Sequence, residues 1–242
     1  MNKKVYDLLK EKFVGIIRGS NLESGEVTIQ AATLSAEEAI GNPEERDYPL
    51  ITGRERMMQA EFRGCFGQAF TDMYGNFSAR LSDIVGMELE NNFRRAVFIS
   101  SLNAVSRYLR LTDKTRHCKD SQPKQCSLEL VKNIRNEYGN PRIAIVGFQP
   151  RMIEAISQRF GLRATDMDEQ NIGTEKFGIT IGSQDNTEAN LDWCDLALVT
   201  GTTVVNDTID QFLISKPVIF YGVTISGVAQ LLGLKQFCYC GH

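Results

Sequence analysis

The sequence predicts an α/β protein in which an N-terminal α+β half precedes a C-terminal, Rossmann-like half built on a parallel sheet. Three observations predict it. From about Ser127 onward, short apolar runs alternate with helix-period segments, the pattern of βαβ units joined by right-handed crossovers. Ahead of that point strand-like segments come first and long helical segments after, the order of an α+β unit. A length of 242 residues, with 42% hydrophobic and 24% charged content, permits one large domain or two small ones, and each half is long enough to bury its own core. The division is expected at residue 125, giving units 1–125 and 126–242.

Taken in order, Val5, Leu8, Leu9, Phe13 and Ile16 recur at helical spacing and predict an amphipathic helix ending between Gly15 and Gly19. The period then shortens. Residues 26–34 alternate like a strand, 41–49 are rich in turn formers, and 64–71 are apolar enough for a second strand. Helical spacing returns over 77–87 and again over 90–109, where Phe93, Val97, Ile99, Leu102, Val105 and Leu109 form an apolar stripe. Residues 111–126 are polar and charged, a composition compatible with a linker, but a linker rarely needs the one internal histidine of the chain, His117. In the second half a helix through Asn140 leads to a strand at 142–146. A helix over 150–160, strands at 163–166 and 195–199, and a helix over 204–213 follow. A strand at 217–221, a helix over 225–232 and a last strand at 236–239 complete the pattern.

A net charge of −3 and a pI near 5.6, with basic residues scattered among acidic ones, exclude the Lys/Arg clustering that nucleic acid requires. No apolar run approaches the ~20 residues that cross a bilayer, and Met1-Asn2-Lys3-Lys4 leads into an amphipathic segment, so a cytoplasmic protein is expected. Six cysteines are too sparse for a disulfide scaffold and read as thiols.

In an open parallel sheet, ligands settle beyond the carboxyl ends of the strands, where helix N-termini aim free N–H groups inward. Gly147 and Gln149 occupy the first such turn. One glycine stands there where a dinucleotide fingerprint has three, which argues against NAD. Asp166, Asp168 and Asn171 follow the second strand, about 20 residues beyond Gly147, where a Rossmann domain places the carboxylate for a ribose diol. Capping of a local turn by Asp168 is the other reading. Thr200, Gly201, Thr202 and Thr203 close the next strand and open a helix carrying Asn206, a supply of hydroxyls and N–H groups for a carboxylate, a phosphate or a polar ring. Tyr221, Gly222 and Thr224 repeat the arrangement one strand later. Asn103 either bonds within the core or, if its helix faces the second half, reaches the crevice; Asp72 offers a carboxylate in the same way.

His117, Cys118, Cys126 and Cys238 are candidate ligands for a soft divalent or transition metal. The terminal Cys238-Tyr239-Cys240-Gly241-His242 adds donors enough for zinc, copper(I) or an iron cluster, buried thiols being the alternative. His117, Lys119 and Asp120 are candidate acid–base groups. Nucleophilic chemistry by Cys118 is disfavoured, because adjacent residues such as His117 and Cys118 seldom point at one another.

Leu102-Asn103-Ala104-Val105, His117-Cys118-Lys119-Asp120 with Cys126, residues 168–173, Thr200 through Asn206, Tyr221-Gly222-Val223-Thr224 and Phe237-Cys238 together resemble a prokaryotic domain family of unknown function labelled "putative heavy-metal chelation". The Thr-Gly-Thr-Thr run followed by Asn206 is the most specific part. The resemblance implies an N-terminal half similar to the enolase N-terminal domain, a Rossmann-like C-terminal half, and an active site between them. The functions expected are a metal-handling protein with its site at the junction, or an enzyme acting on a small polar ligand of nucleotide, S-adenosylmethionine or pterin type. A non-catalytic sensor or assembly subunit is the third. The partner expected is a small molecule or a metal ion, neither nucleic acid nor membrane, and a homo-oligomer is compatible with all three.

Overall fold

The computed structural model describes residues 4–30, 34 and 36–242. Helix α1 (Val5–Gly19) buries Val5, Leu9, Phe13 and Ile17, the i, i+4 face that its spacing encodes. Strand β1 (Glu26–Gln30) realises the first part of the 26–34 alternation; residues 31–33 lie outside those described. Two short helices, α2 (Ala36–Ile40) and α3 (Pro49–Thr52), lead into the hairpin β2 (Arg56–Phe62) and β3 (Cys65–Thr71). Its two-residue turn places Arg63 and Gly64 at positive φ, the conformation that matches the twist of paired strands.

The helix expected over 77–87 is instead β4 (Phe77–Arg80) followed by α4 (Leu81–Gly86). Phe77 to Arg80 pair antiparallel with β1, a period-2 stretch too short to outweigh the helical spacing around it. Helix α5 (Asn92–Tyr108) then crosses the sheet. It is buried on every side from Ala96 to Ser106, where a one-sided stripe was expected, because it packs between the first sheet and helices of the second half. Its interior serines bond back to their own helix, Ser100 to Ala96 O and Ser101 to Val97 O, both at 2.7 Å. Gly67 on β3 makes the close approach possible, since an added Cβ would collide with the backbone of Ser100 and Ala104.

The second half comprises α6 (Gln122–Tyr138), β5 (Ile143–Val146), α7 (Pro150–Ser157), β6 (Leu162–Thr165), β7 (Glu175–Lys176), β8 (Ile179–Gly182), α8 (Thr187–Trp193), β9 (Leu196–Thr200), α9 (Thr202–Val205), β10 (Val218–Tyr221), α10 (Ser226–Leu232) and β11 (Gln236–Phe237). The helix expected over 204–213 breaks after α9, where Asp207 takes φ 57°, and resumes as a 3-10 turn at Ile209–Phe212. β2, β7 and β8 carry no alternation strong enough to have been expected.

Among the described residues the strands form a four-stranded antiparallel sheet, ordered β3-β2-β1-β4, and a seven-stranded sheet ordered β11-β10-β9-β5-β6-β8-β7. In the second sheet all neighbours are parallel except β7 and β8. The chain leaves β5 toward β6 and β8, then returns to build β9, β10 and β11 on its other side. That reversal opens a crevice above the carboxyl ends of β5 and β9. One apolar cluster is continuous from Phe13 and Phe98 to Val199, Phe220 and Val228, while a second, with Leu130, Ile145 and Ile153, covers the far face of the parallel sheet.

The stretch of linker-like composition is a structural strap. Thr115 Oγ1 donates to Phe66 O at 2.7 Å, Gln68 N to Thr115 O at 3.0 Å, and His117 N to Gln68 Oε1 at 2.6 Å, so the strap covers the open edge of β3. The chain end is tied to it in turn: Arg116 and His242 exchange backbone hydrogen bonds of 2.7 and 3.0 Å. No helix among the described residues is long and apolar enough to cross a membrane.

Candidate functional site

A cavity of about 680 Å³ runs along the carboxyl ends of β6, β5, β9, β10 and β11 and is closed by the first half through Tyr48, Leu50, Glu55 and Phe70. Its floor depends on Gly147, at φ 95°, where a Cβ would lie 2.8 Å from the Thr200 methyl and 2.9 Å from the Tyr221 hydroxyl.

The residues expected from separate segments meet here. Gly147, Gln149, Asp166, Asp168, Asn171, Thr200, Gly201, Thr202, Thr203, Asn206, Tyr221, Gly222 and Thr224 line the cavity, and so do His117, Cys118, Cys126 and Cys238. Several spend their polar atoms on the scaffold. Asp166 accepts from Phe148 N at 2.5 Å and Asp168 N at 2.7 Å; Gln149 caps α7 through Met152 N at 2.7 Å. Thr203 Oγ1 donates to Thr200 O at 2.8 Å, and Tyr221 Oη to the carbonyls of Val146 and Gly147 at 3.0 and 2.9 Å. Burial raises the Tyr221 phenol far above its ordinary range, so it acts as a donor. Thr224 Oγ1 reaches across the seam to accept from Phe70 N at 3.1 Å.

Three expected residues stand elsewhere. Asn103 does not face the crevice. It is fully buried, with Nδ2 within 2.9 to 3.2 Å of the carbonyls of Gln68, Val223 and Thr224, and Oδ1 accepting from Gly227 N at 2.7 Å. It is a strut between the halves. Asp120 pins the turn at residues 40–42, its carboxylate accepting from Asn42 N at 2.8 Å, and Lys119 meets Gln122 at the entry to α6; neither lines the cavity.

Two chemically different ends result from the strand order. At the β11 end, His117 Nδ1 lies 2.6 Å from Cys118 O, which favours the Nδ1–H tautomer and leaves Nε2 as the acceptor. Burial, with a smaller contribution from His242, lowers the imidazole to about 4, and the Phe70 ring packs edge-on against it at 5.4 Å. Burial, then the nearby sulfurs of Cys126 and others, drive Cys118 well above the thiol range and Cys238 to about 12. Burial, then the neighbouring Cys126, raises the Cys240 thiol as well. Among the described residues no three His, Cys, Asp or Glu side chains converge tightly enough to enclose a metal ion.

At the β6 end the lining is acidic. Glu55, Asp72, Asp166, Asp168 and Glu169 line the cavity, and among the described lining residues Arg54 alone carries a positive charge. Burial, then repulsion from Asp166, Asp72 and Asp168, lifts Glu55 from the usual carboxylate range to about 7. Asp72 is held by Asn92 Nδ2 at 2.7 Å, and the same amide reaches Asn206 across the seam at 3.3 Å. Glu55 and Thr165 were not anticipated. Glu55 sits in a loop ahead of a strand that lacks clear alternation, and Thr165 reads as an ordinary strand residue.

Over residues 130–233 the chain matches the DUF364 family, described as "Putative heavy-metal chelation". It is similar in fold to a DUF364 protein of unknown function from Pyrococcus horikoshii, with 16% identity, 91% of this chain and 79% of that one covered, and a TM-score of 0.56. A second DUF364 protein of unknown function, from Desulfitobacterium hafniense DCB-2, aligns with 13% identity, 74% and 73% coverage, and a TM-score of 0.50. No curated protein sequence matches the chain.

Proposed function

We propose, starting from the match of residues 130–233 to the DUF364 family, that the chain is a ligand-binding protein whose seam cavity takes a soft metal ion, bare or carried by a small organic molecule. The end lined by His117, Cys118, Cys126 and Cys238 would hold the metal. One observation carries the reading: the thiol and imidazole side chains line the same cavity as Thr200, Gly201, Thr202, Thr203 and Asn206.

Sulfur and imidazole donors select soft ions such as copper(I). The lack of a converging set of three speaks against a preformed tetrahedral zinc site and for an ion satisfied by fewer donors. A volume of about 680 Å³ also leaves room for a polar organic partner. We read the second half as Rossmann-like and the first as enolase-N-like, dividing near residue 125. The order β8-β6-β5-β9-β10-β11 supports the former, being that of dinucleotide-binding sheets with the crevice at β5 and β9.

That same order favours a second reading, an enzyme acting on a small polar ligand of nucleotide, S-adenosylmethionine or pterin type, with Asp168 as a contact. Phosphorylated members of that set fit poorly among the carboxylates.

The test is an anaerobic copper(I) titration of reduced, metal-free protein against a competing chelator. Cys118→Ala and Cys238→Ala should each weaken binding at least tenfold, and Cys65→Ala, outside the cavity lining, should leave it unchanged. Equal affinity in all four proteins would remove the proposal.

A further inference from the structure

Resting on the reading of the seam cavity as a ligand site, we propose that its acidic end is a subsite for an alkylammonium group. The ligand's organic part would carry a protonated amine seated among Glu55, Asp72 and Asp168, with the Thr165 hydroxyl as a further acceptor.

Two independent observations point there. The first is charge. The carboxyl side chains at this end face Arg54 as the one cationic lining group among the described residues, so an anionic ligand meets repulsion and a cation is drawn in. The second is an orphaned hydroxyl. Thr165 is 2% exposed and lines the cavity, yet its Oγ1 has no hydrogen-bond partner. Buried polar atoms are nearly always paired, and one left over beside a cavity marks where a ligand atom belongs.

The chemistry of the cation follows from the spacing of the acids. A hard divalent ion needs converging oxygens, and no three acidic side chains converge among the described residues. An ammonium carries separate N–H donors and is satisfied by acceptors spread around it. Asp166 is excluded from the set, since both its oxygens already accept backbone N–H groups. From β6 to β11 there are four inter-strand steps, roughly 19 Å at about 4.8 Å each. An amine at one end and a metal at the other therefore bind through different side chains.

Calorimetric titration of the reduced, metal-free protein with putrescine and spermidine tests this, with 1,4-butanediol as the neutral counterpart. Saturable binding of one amine per chain is expected, weakened at least tenfold in Asp168→Asn and in Asp72→Asn and unchanged in Cys65→Ala, outside the cavity lining. Thr165→Val guards against misfolding. It is close to isosteric and removes an unpaired hydroxyl, so it should raise the unfolding midpoint of the ligand-free protein while weakening amine binding several-fold. The subsite is overturned if neither amine saturates, if butanediol binds as well, or if the Asp168 and Thr165 variants bind like wild type. Loss of the amine result with copper(I) binding intact would sink this subsite and spare the thiol end; the reverse outcome would do the opposite.

Discussion

Replacing Asn103 with alanine removes the side chain that ties the two sheets together, and the cost can be worked out from its contacts. The amide has two N–H donors, shared among three backbone carbonyls from β3 and the loop before α10, and its oxygen accepts from Gly227 N. All of these groups are buried, so truncation leaves at least one donor and two acceptors without water. At about 1–3 kcal/mol for each stranded group, partly relieved by relaxation, and with a small cavity added, the loss should be about 4 kcal/mol. That is a large share of the 5–15 kcal/mol typical of a domain. Asn103→Leu, near in volume, should recover only the cavity part. Asn103→Asp should be worse than either at neutral pH, because a second oxygen replaces the donor facing the carbonyls. Urea unfolding of the four proteins at a common m-value measures this. A loss under 1 kcal/mol for Asn103→Ala would refute the strut, and a functional rather than structural role for Asn103 would return.

Gly67→Ala should cost about 2–3 kcal/mol by the same assay, because its Cβ meets the backbone of α5 and not a movable side chain. Glu55 makes stability pH-dependent. Its folded value of about 7 lies above the ordinary one, so its stabilising contribution is full below about pH 4.5 and is lost as the pH rises to about 7. Wild type should therefore lose stability relative to Glu55→Gln between pH 5 and 7.5, and parallel pH profiles of the unfolding midpoint would contradict this. Tyr221→Phe frees two buried carbonyls at the cavity floor and should cost about 1–2 kcal/mol, read from thermal or urea midpoints.

Much of the second half was legible because its strands alternate with helices and end in Gly, Asp and Thr, which have few roles there besides turning the chain or meeting a ligand. Gly147, Asp166 and the run from Thr200 to Thr203 stood out for that reason, and all of them line the cavity. What sequence did not reveal was how many of them bond one another. Asp166, Thr203 and Tyr221 look free along the chain and are engaged in space. His117 and Cys118 stood out only as unusual residues in a polar stretch. Their burial depends on Gln68, 49 residues from His117, and on the chain end at His242, which bonds to Arg116 from 126 residues away; no local pattern encodes either. Glu55 escaped notice for the opposite reason: a lone surface-type residue in a loop acquires its meaning from the three aspartates that the fold brings to it. The break of the 204–213 helix at Asp207 shows the same limit on a smaller scale, a positive φ that interrupts a good helical pattern.

The claim that one seam cavity unites the thiol–imidazole end with the strand ends is tested most directly by diffraction from crystals of reduced protein loaded anaerobically with copper(I). The anomalous signal is predicted inside the cavity, within bonding distance of the Cys118 or Cys238 sulfur. A signal confined to Cys65 or Cys194, or none at stoichiometric loading, would contradict it.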